Sequence, residues 1–137
     1  MLIEAKNVTK AFGAFKAVDD ASVSVEEGDI LGLIGPNGAG KSTFFNCLTG
    51  DLPVTSGSVI FNGTDVTRLP PEARARLGLA RSFQVPLTFD SMSVLDNATI
   101  GALLRHPNAR EARARARAAN PPYERRPRPT SFVALKP

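Results

Sequence analysis

Apolar and polar residues alternate in "LIEAKNV" and again in "ASVSVEEGD". That period of two, bounded by turn-forming and charged residues, predicts two half-buried strands near the N-terminus. The run "DILGLI" breaks the alternation; its nearly continuous apolar character suits a central parallel strand covered on both faces. After a glycine-rich stretch, Phe44, Phe45, Cys47 and Leu48 recur at helical spacing and Gly50 follows as a stop, which predicts a short helix with one apolar stripe. Further on, "GSVIFNGTDV" reads as a strand and an Asn62-Gly63 turn, "PPEARARLG" as a helix opened by proline and closed by Gly78, and "LARSFQ" as a strand. Ser93 with Asp96 three residues later opens a helix running through Leu104. Strands and helices in this alternation predict an α/β fold with a mixed β-sheet.

The periodicity stops near Ala119. Beyond "REARARARAA", the segment "NPPYERRPRPTSFVALKP" follows neither 3.6 nor 2, so residues 1–119 are expected to form a domain and 120–137 a disordered Pro/Arg-rich tail without domain character. Charge divides at nearly the same place. Residues 1–104 carry 8 Lys and Arg against 11 Asp and Glu, whereas residues 105–137 carry 9 against 2. The net charge of +4 is therefore carried by residues 105–137 rather than by a basic face on residues 1–104.

Composition narrows the class without naming it. Apolar residues make up 42% of the 137-residue chain and charged ones 22%, which is ordinary for a soluble protein. No apolar run reaches the roughly 18 residues of a membrane span, and the N-terminus lacks a basic region followed by an apolar one, so the expected location is cytoplasmic. The single cysteine, Cys47, lies in the apolar stripe of a helix and reads as a small core residue.

The chemistry lies in "GPNGAGKST", between "DILGLI" and the first helix. A triphosphate presents several charged oxygens, and a turn that wraps them must expose successive backbone amides with no side chain in the way. Gly35, Gly38 and Gly40 permit that path, with Asn37 and Ala39 between them in the loop. The helix behind it aims its first amides at the phosphates, Lys41 reaches the β and γ groups, and Ser42 can ligate Mg²⁺. The pattern G-x-x-x-x-G-K-[ST], placed between a strand and a helix, predicts a phosphate-binding loop that takes a nucleotide with Mg²⁺; ATP as that nucleotide is what the resemblance described next implies.

Three landmarks in order, Phe12 in "KAFGAFKAVDD", the loop itself, and Gln84 in "ARSFQ", resemble the adenine-stacking loop, phosphate loop and glutamine loop of ABC-transporter ATP-binding subunits. The segments "FFNCLTG", "SGSVIFNGTDVTRLPPEARARLGLARSFQ" and "LTFDSMSVLDNATIGAL" are most similar to the subfamily serving branched-chain amino acid importers. The resemblance covers residues 1 to about 118. It implies a P-loop NTPase fold, in which Phe12 stacks on adenine with Val18 nearby, Thr43 bonds a phosphate oxygen, and Gln84 approaches Mg²⁺ and the attacking water. It also implies permease subunits and a second ATP-binding subunit as partners, and a peripheral place on the inner face of the plasma membrane. Without the resemblance, Phe12 reads as a core aromatic and Gln84 as a solvated polar residue; Arg81 and His106 read as exposed.

The L-S-G-G-Q signature of that family, its apolar strand ending in Asp-Glu and its switch histidine are absent from the sequence. Phosphoryl transfer depends on these parts acting together. The expectation is an N-terminal portion of such a subunit, truncated or frame-shifted after the glutamine loop, that binds ATP without hydrolysing it. The edge of "DILGLI" is then expected to lack a strand partner, leaving a chain that folds poorly or self-associates. Two other readings compete at this point: another P-loop NTPase or kinase, for which no N-K-x-D or comparable element is present, and a nucleic-acid-binding module using the arginine tail. Only Tyr123 and Phe132 interleave that tail, too few rings to stack successive bases, so no nucleic acid is expected.

Overall fold

Residues 3 to 25 form a long antiparallel hairpin of β1 (Ile3–Phe12) and β2 (Phe15–Val25). The strands run further than the alternation implies, because the ladder continues through "KAFGAFKAVDD" with register shifts near Val8 and Lys10. Those irregularities break the period of two, which is why the pattern fades there. They are held by side chains: Asn7 Nδ2 donates to Asp20 Oδ1 at 2.9 Å, Asn7 N donates to Ser22 Oγ, and Asp20 N donates to Thr9 Oγ1.

β3 (Leu31–Gly32) precedes the glycine-rich loop, and α1 (Lys41–Thr49) follows it. β4 (Ser56–Phe61) then pairs with β1 and turns through Asn62 and Gly63 into β5 (Thr64–Asp65), which gives an antiparallel sheet in the order β2-β1-β4-β5. α1 lays Phe44, Cys47 and Leu48 into a core with Ala5, Val8, Val18, Val59, Phe61 and Val66. Burial pushes the Cys47 thiol above its ordinary value, as befits a packed rather than a reactive group. Phe45, expected in the same stripe, is instead 46% exposed, since a nine-residue helix on one face of a sheet buries only a narrow arc.

The structure is a computed structural model that describes residues 1–83, 88–119 and the backbone of 133–134. Among these, 1–80 with 133–134 form one unit, and 81–83 with 88–119 another.

Three expectations need correction. Only Leu31 and Gly32 of "DILGLI" are strand, both half-buried, and Ile30 and Ile34 are 48% and 65% exposed. The run is thus not covered on both faces. Its edge does have a partner: β6 (Val133–Ala134), from the segment expected to be a structureless tail, pairs in parallel with Leu31 and Gly32. "LARSFQ" is no strand over residues 79–83, and its Gln84 lies outside the described residues. The short helix is α2 (Pro71–Leu77), ended by Gly78 as its sequence implies.

The second unit is a helical hairpin of α3 (Val94–Leu103) and α4 (Ala109–Ala119). Ala112 and Ala116, four residues apart on one face of α4, are its buried residues. His106, expected to be exposed, is half-buried with Nδ1 2.9 Å from Glu111 Oε1. Arg81 places its guanidinium 4.7 Å from the ring centre of Phe83. No helix among the described residues is long and apolar enough to cross a membrane.

At the start of α3 the Ser93 hydroxyl caps the Asp96 amide at 3.2 Å and donates to the Asp96 carboxylate at 2.6 Å, while Arg113 of α4 pairs with the same carboxylate. The Ser93 hydrogen bond first, and Arg113 second, hold Asp96 below the usual carboxylate range. A depressed folded-state pKa adds stability that is complete above the unfolded value near 3.9 and fades as pH falls through the folded one. Circular dichroism across an acid titration is expected to show helicity lost below about pH 4, and Asp96→Asn to reduce that acid step.

Candidate functional site

The loop between β3 and α1 leaves the helix start open. Gly40 is the N-cap, with φ 81° and ψ 2°, and α1 has neither a side-chain cap nor an acidic residue in its first turn. Its first amides and the positive end of its dipole are therefore available to an anion. Ala39 N closes the loop on Pro36 O at 3.2 Å, and Phe44 N begins the helical ladder on Gly40 O at 2.8 Å. Two constraints demand glycine at position 40. The left-handed backbone is one. The other is β2, since a Cβ there would stand 2.1 Å from the Ala17 carbonyl oxygen. The hairpin thus presses on the loop at the residue where the helix starts.

Lys41 Nζ donates to the carbonyls of Gly35 and Pro36, both at 2.6 Å. The ammonium is thereby folded over the loop, three donors on a flexible stem that can exchange carbonyl for phosphate oxygens. Ser42 is exposed beside it and Thr43 half-buried. Residues 37 to 43, together with Phe12, Phe15 and Ala17 of the hairpin, line one groove of about 370 Å³. That volume suits a small organic ligand.

The expected site residues divide as follows. Phe12, Asn37, Gly38, Ala39, Gly40, Lys41, Ser42 and Thr43 share the groove, and Gly35 holds Lys41 from beneath. Phe12 is 50% exposed, not a core aromatic, with Lys10 Nζ 5.0 Å from its ring centre. Val18 is buried at 8% exposure, behind the lining rather than in it; its neighbour Ala17 takes the place, because adjacent strand residues face opposite ways. Phe15 and Ala17 escaped the sequence reading, although Phe15 follows Phe12 at hairpin-turn distance.

A second omission is Arg74, buried at 1% exposure. Its guanidinium donates to Cys47 O and Leu48 O in the last turn of α1, at 2.9 and 2.7 Å, and to Thr67 O and Leu69 O at 3.0 and 2.9 Å. With Leu52 N on Asn46 O, three of the four carbonyls at the end of the α1 ladder have donors. A cation also belongs at the negative end of the helix dipole. Arg74 thus fixes the far end of the helix whose near end forms the loop. The sequence of α2 gave no hint of it, since the carbonyls it meets lie on other elements.

Comparison with known proteins agrees with this geometry. The family model for the ABC transporter matches residues 18–131. A probable branched-chain amino acid transport ATP-binding protein LivG of Methanocaldococcus jannaschii is 42% identical over 102 residues, which are 74% of this chain and 40% of that protein. The lipopolysaccharide export system ATP-binding protein LptB of Escherichia coli is 42% identical over 95 residues, 69% of this chain and 39% of its own. A solved ATP-binding cassette of an ABC transporter in its ADP conformation superposes with a TM-score of 0.68 at 39% identity, covering 81% of this chain and 44% of that one. The chain spans about two fifths of the length of these curated relatives. With a phosphate loop, a helix start free of side-chain caps and a family match over most of its length, the chain belongs to the ABC transporter family.

Proposed function

We propose that this chain binds ATP in the groove between the hairpin and the loop, as the nucleotide-binding portion of a transporter's ATP-binding subunit. One observation carries the reading: the open start of α1, Lys41 and the exposed ring of Phe12 line the same groove. The phosphates would take the loop amides and Lys41, and Thr43 a further oxygen. Among the described residues no three His, Cys, Asp or Glu side chains cluster as metal ligands. In this reading the Ser42 hydroxyl would be a ligand of Mg²⁺, and Gln84, which lies outside the described residues, would by the resemblance approach the metal and the attacking water. Bound Mg²⁺ would neutralise charge between phosphate oxygens.

The name of the LivG relative from Methanocaldococcus jannaschii, and of a further one at 39% identity from Pseudomonas aeruginosa, a high-affinity branched-chain amino acid transport ATP-binding protein BraF, favours import of branched-chain amino acids. Its partners in that reading are permease subunits and a second ATP-binding subunit, met at the cytoplasmic face of the membrane.

The test is direct. Lys41→Ala is expected to weaken ATP binding tenfold to a hundredfold, since a charge-assisted contact to phosphate is worth roughly 1.5 to 3 kcal/mol. Titration calorimetry giving the variant the wild-type affinity would sink the reading.

A further inference from the structure

The hairpin brings a second aromatic ring to the groove. Phe12 and Phe15 are register partners at the tip of β1 and β2, separated only by Gly13 and Ala14. Residues directly opposite on antiparallel strands share a face, with Cβ atoms about 4.5 to 5.5 Å apart. Both rings line the groove beside the loop. Both are also exposed, Phe12 at 50% and Phe15 at 66%. A pair of neighbouring apolar rings in water, set beside an anion-binding helix start, is a surface for a flat apolar ligand with a charged end.

We propose that Phe15 is a second base-contacting residue, forming with Phe12 a two-ring platform that favours purine over pyrimidine nucleotides. The inference rests on the nucleotide reading above and adds a residue and a selectivity to it. A purine has two fused rings and can cover both phenyl groups while its phosphates reach Lys41. A pyrimidine covers one. Removing Phe15 should therefore cost a purine nucleotide more than a pyrimidine nucleotide. Lys10 Nζ, 5.0 Å from the ring centre of Phe12, supplies a cation next to that π surface.

The experiment measures affinities of the full 137-residue chain for ATP, CTP and tripolyphosphate, in the wild type, Phe12→Ala and Phe15→Ala. Phe15 is exposed, so its truncation leaves the core intact. Phe15→Ala is expected to weaken ATP about tenfold, within the range of one lost base–ring stack, with CTP changed much less and tripolyphosphate unchanged. An ATP-to-CTP ratio equal to that of the wild type overturns the platform. Tripolyphosphate binding the wild type as tightly as ATP also overturns it, while the phosphate loop stands. Failure of the wild type to bind any of the three overturns the platform and the nucleotide reading together.

Discussion

Arg74→Ala lowers the stability of the first unit by about 3 to 5 kcal/mol. The magnitude follows from what the guanidinium does. It satisfies four carbonyls from a fully buried position, and each buried carbonyl left without a donor costs on the order of 1 to 3 kcal/mol, partly relieved where water enters the space vacated. Burial pulls the arginine below its ordinary pKa, but a guanidinium keeps its proton throughout the accessible range. The effect is therefore expected to be flat with pH. Domains have only about 5 to 15 kcal/mol to lose, so thermal unfolding by circular dichroism should fall by at least about 10 °C. Arg74→Lys should recover a minor part, because one ammonium with three donors cannot span carbonyls on two sides. An Arg74→Ala variant melting within two or three degrees of wild type, on the order expected of a surface change, would show that the four contacts are replaceable.

Gly40→Ala weakens nucleotide binding by about a hundredfold through the loop itself. Its Cβ would lie 2.1 Å from Ala17 O and 3.2 Å from the carbonyl carbon, at φ 81°. Backbone is the obstacle, so either β2 or the loop has to move by about an ångström, and a misplacement of about 1 Å in a positioned site costs on the order of a hundredfold. ATP affinity should fall by about that factor. The core sits behind the contact and includes Val18, so the melting temperature should change less, in proportion, than with Arg74→Ala. Calorimetry showing wild-type affinity in Gly40→Ala would mean that the groove tolerates the shift, and that the pressure of the hairpin on the loop is incidental.

The two substitutions act at opposite ends of one helix. Gly40 sets where α1 starts and Arg74 secures where it ends, and between them lie Phe44, Cys47 and Leu48, which tie the helix to the sheet. A phosphate site on a helix start is as well placed as that helix is held.

Local features of this chain were written in its sequence. The loop, its following helix, the Asn62-Gly63 turn, the proline start and glycine stop of α2, and the Ser93 cap of α3 each depend on residues a few positions apart, whose backbone preferences and hydrogen bonds act without distant help. The phosphate residues belong with them, because a nest of amides is built by consecutive residues. What depended on chain segments far apart stayed hidden. Phe15 came to line the groove only because the hairpin sets it opposite Phe12, Val18 packs in the core because its strand turns it there, and the interrupted alternation near Asn7 and Asp20 concealed the length of that hairpin. Nothing in the sequence singled out Arg74, because its carbonyl partners come from the last turn of α1, some 26 residues earlier. "DILGLI" promised a strand covered on both faces, and the tertiary structure gave it two strand residues with Val133 and Ala134 alongside. A periodicity records which side of a segment is apolar; what lies against that side is decided by the rest of the chain.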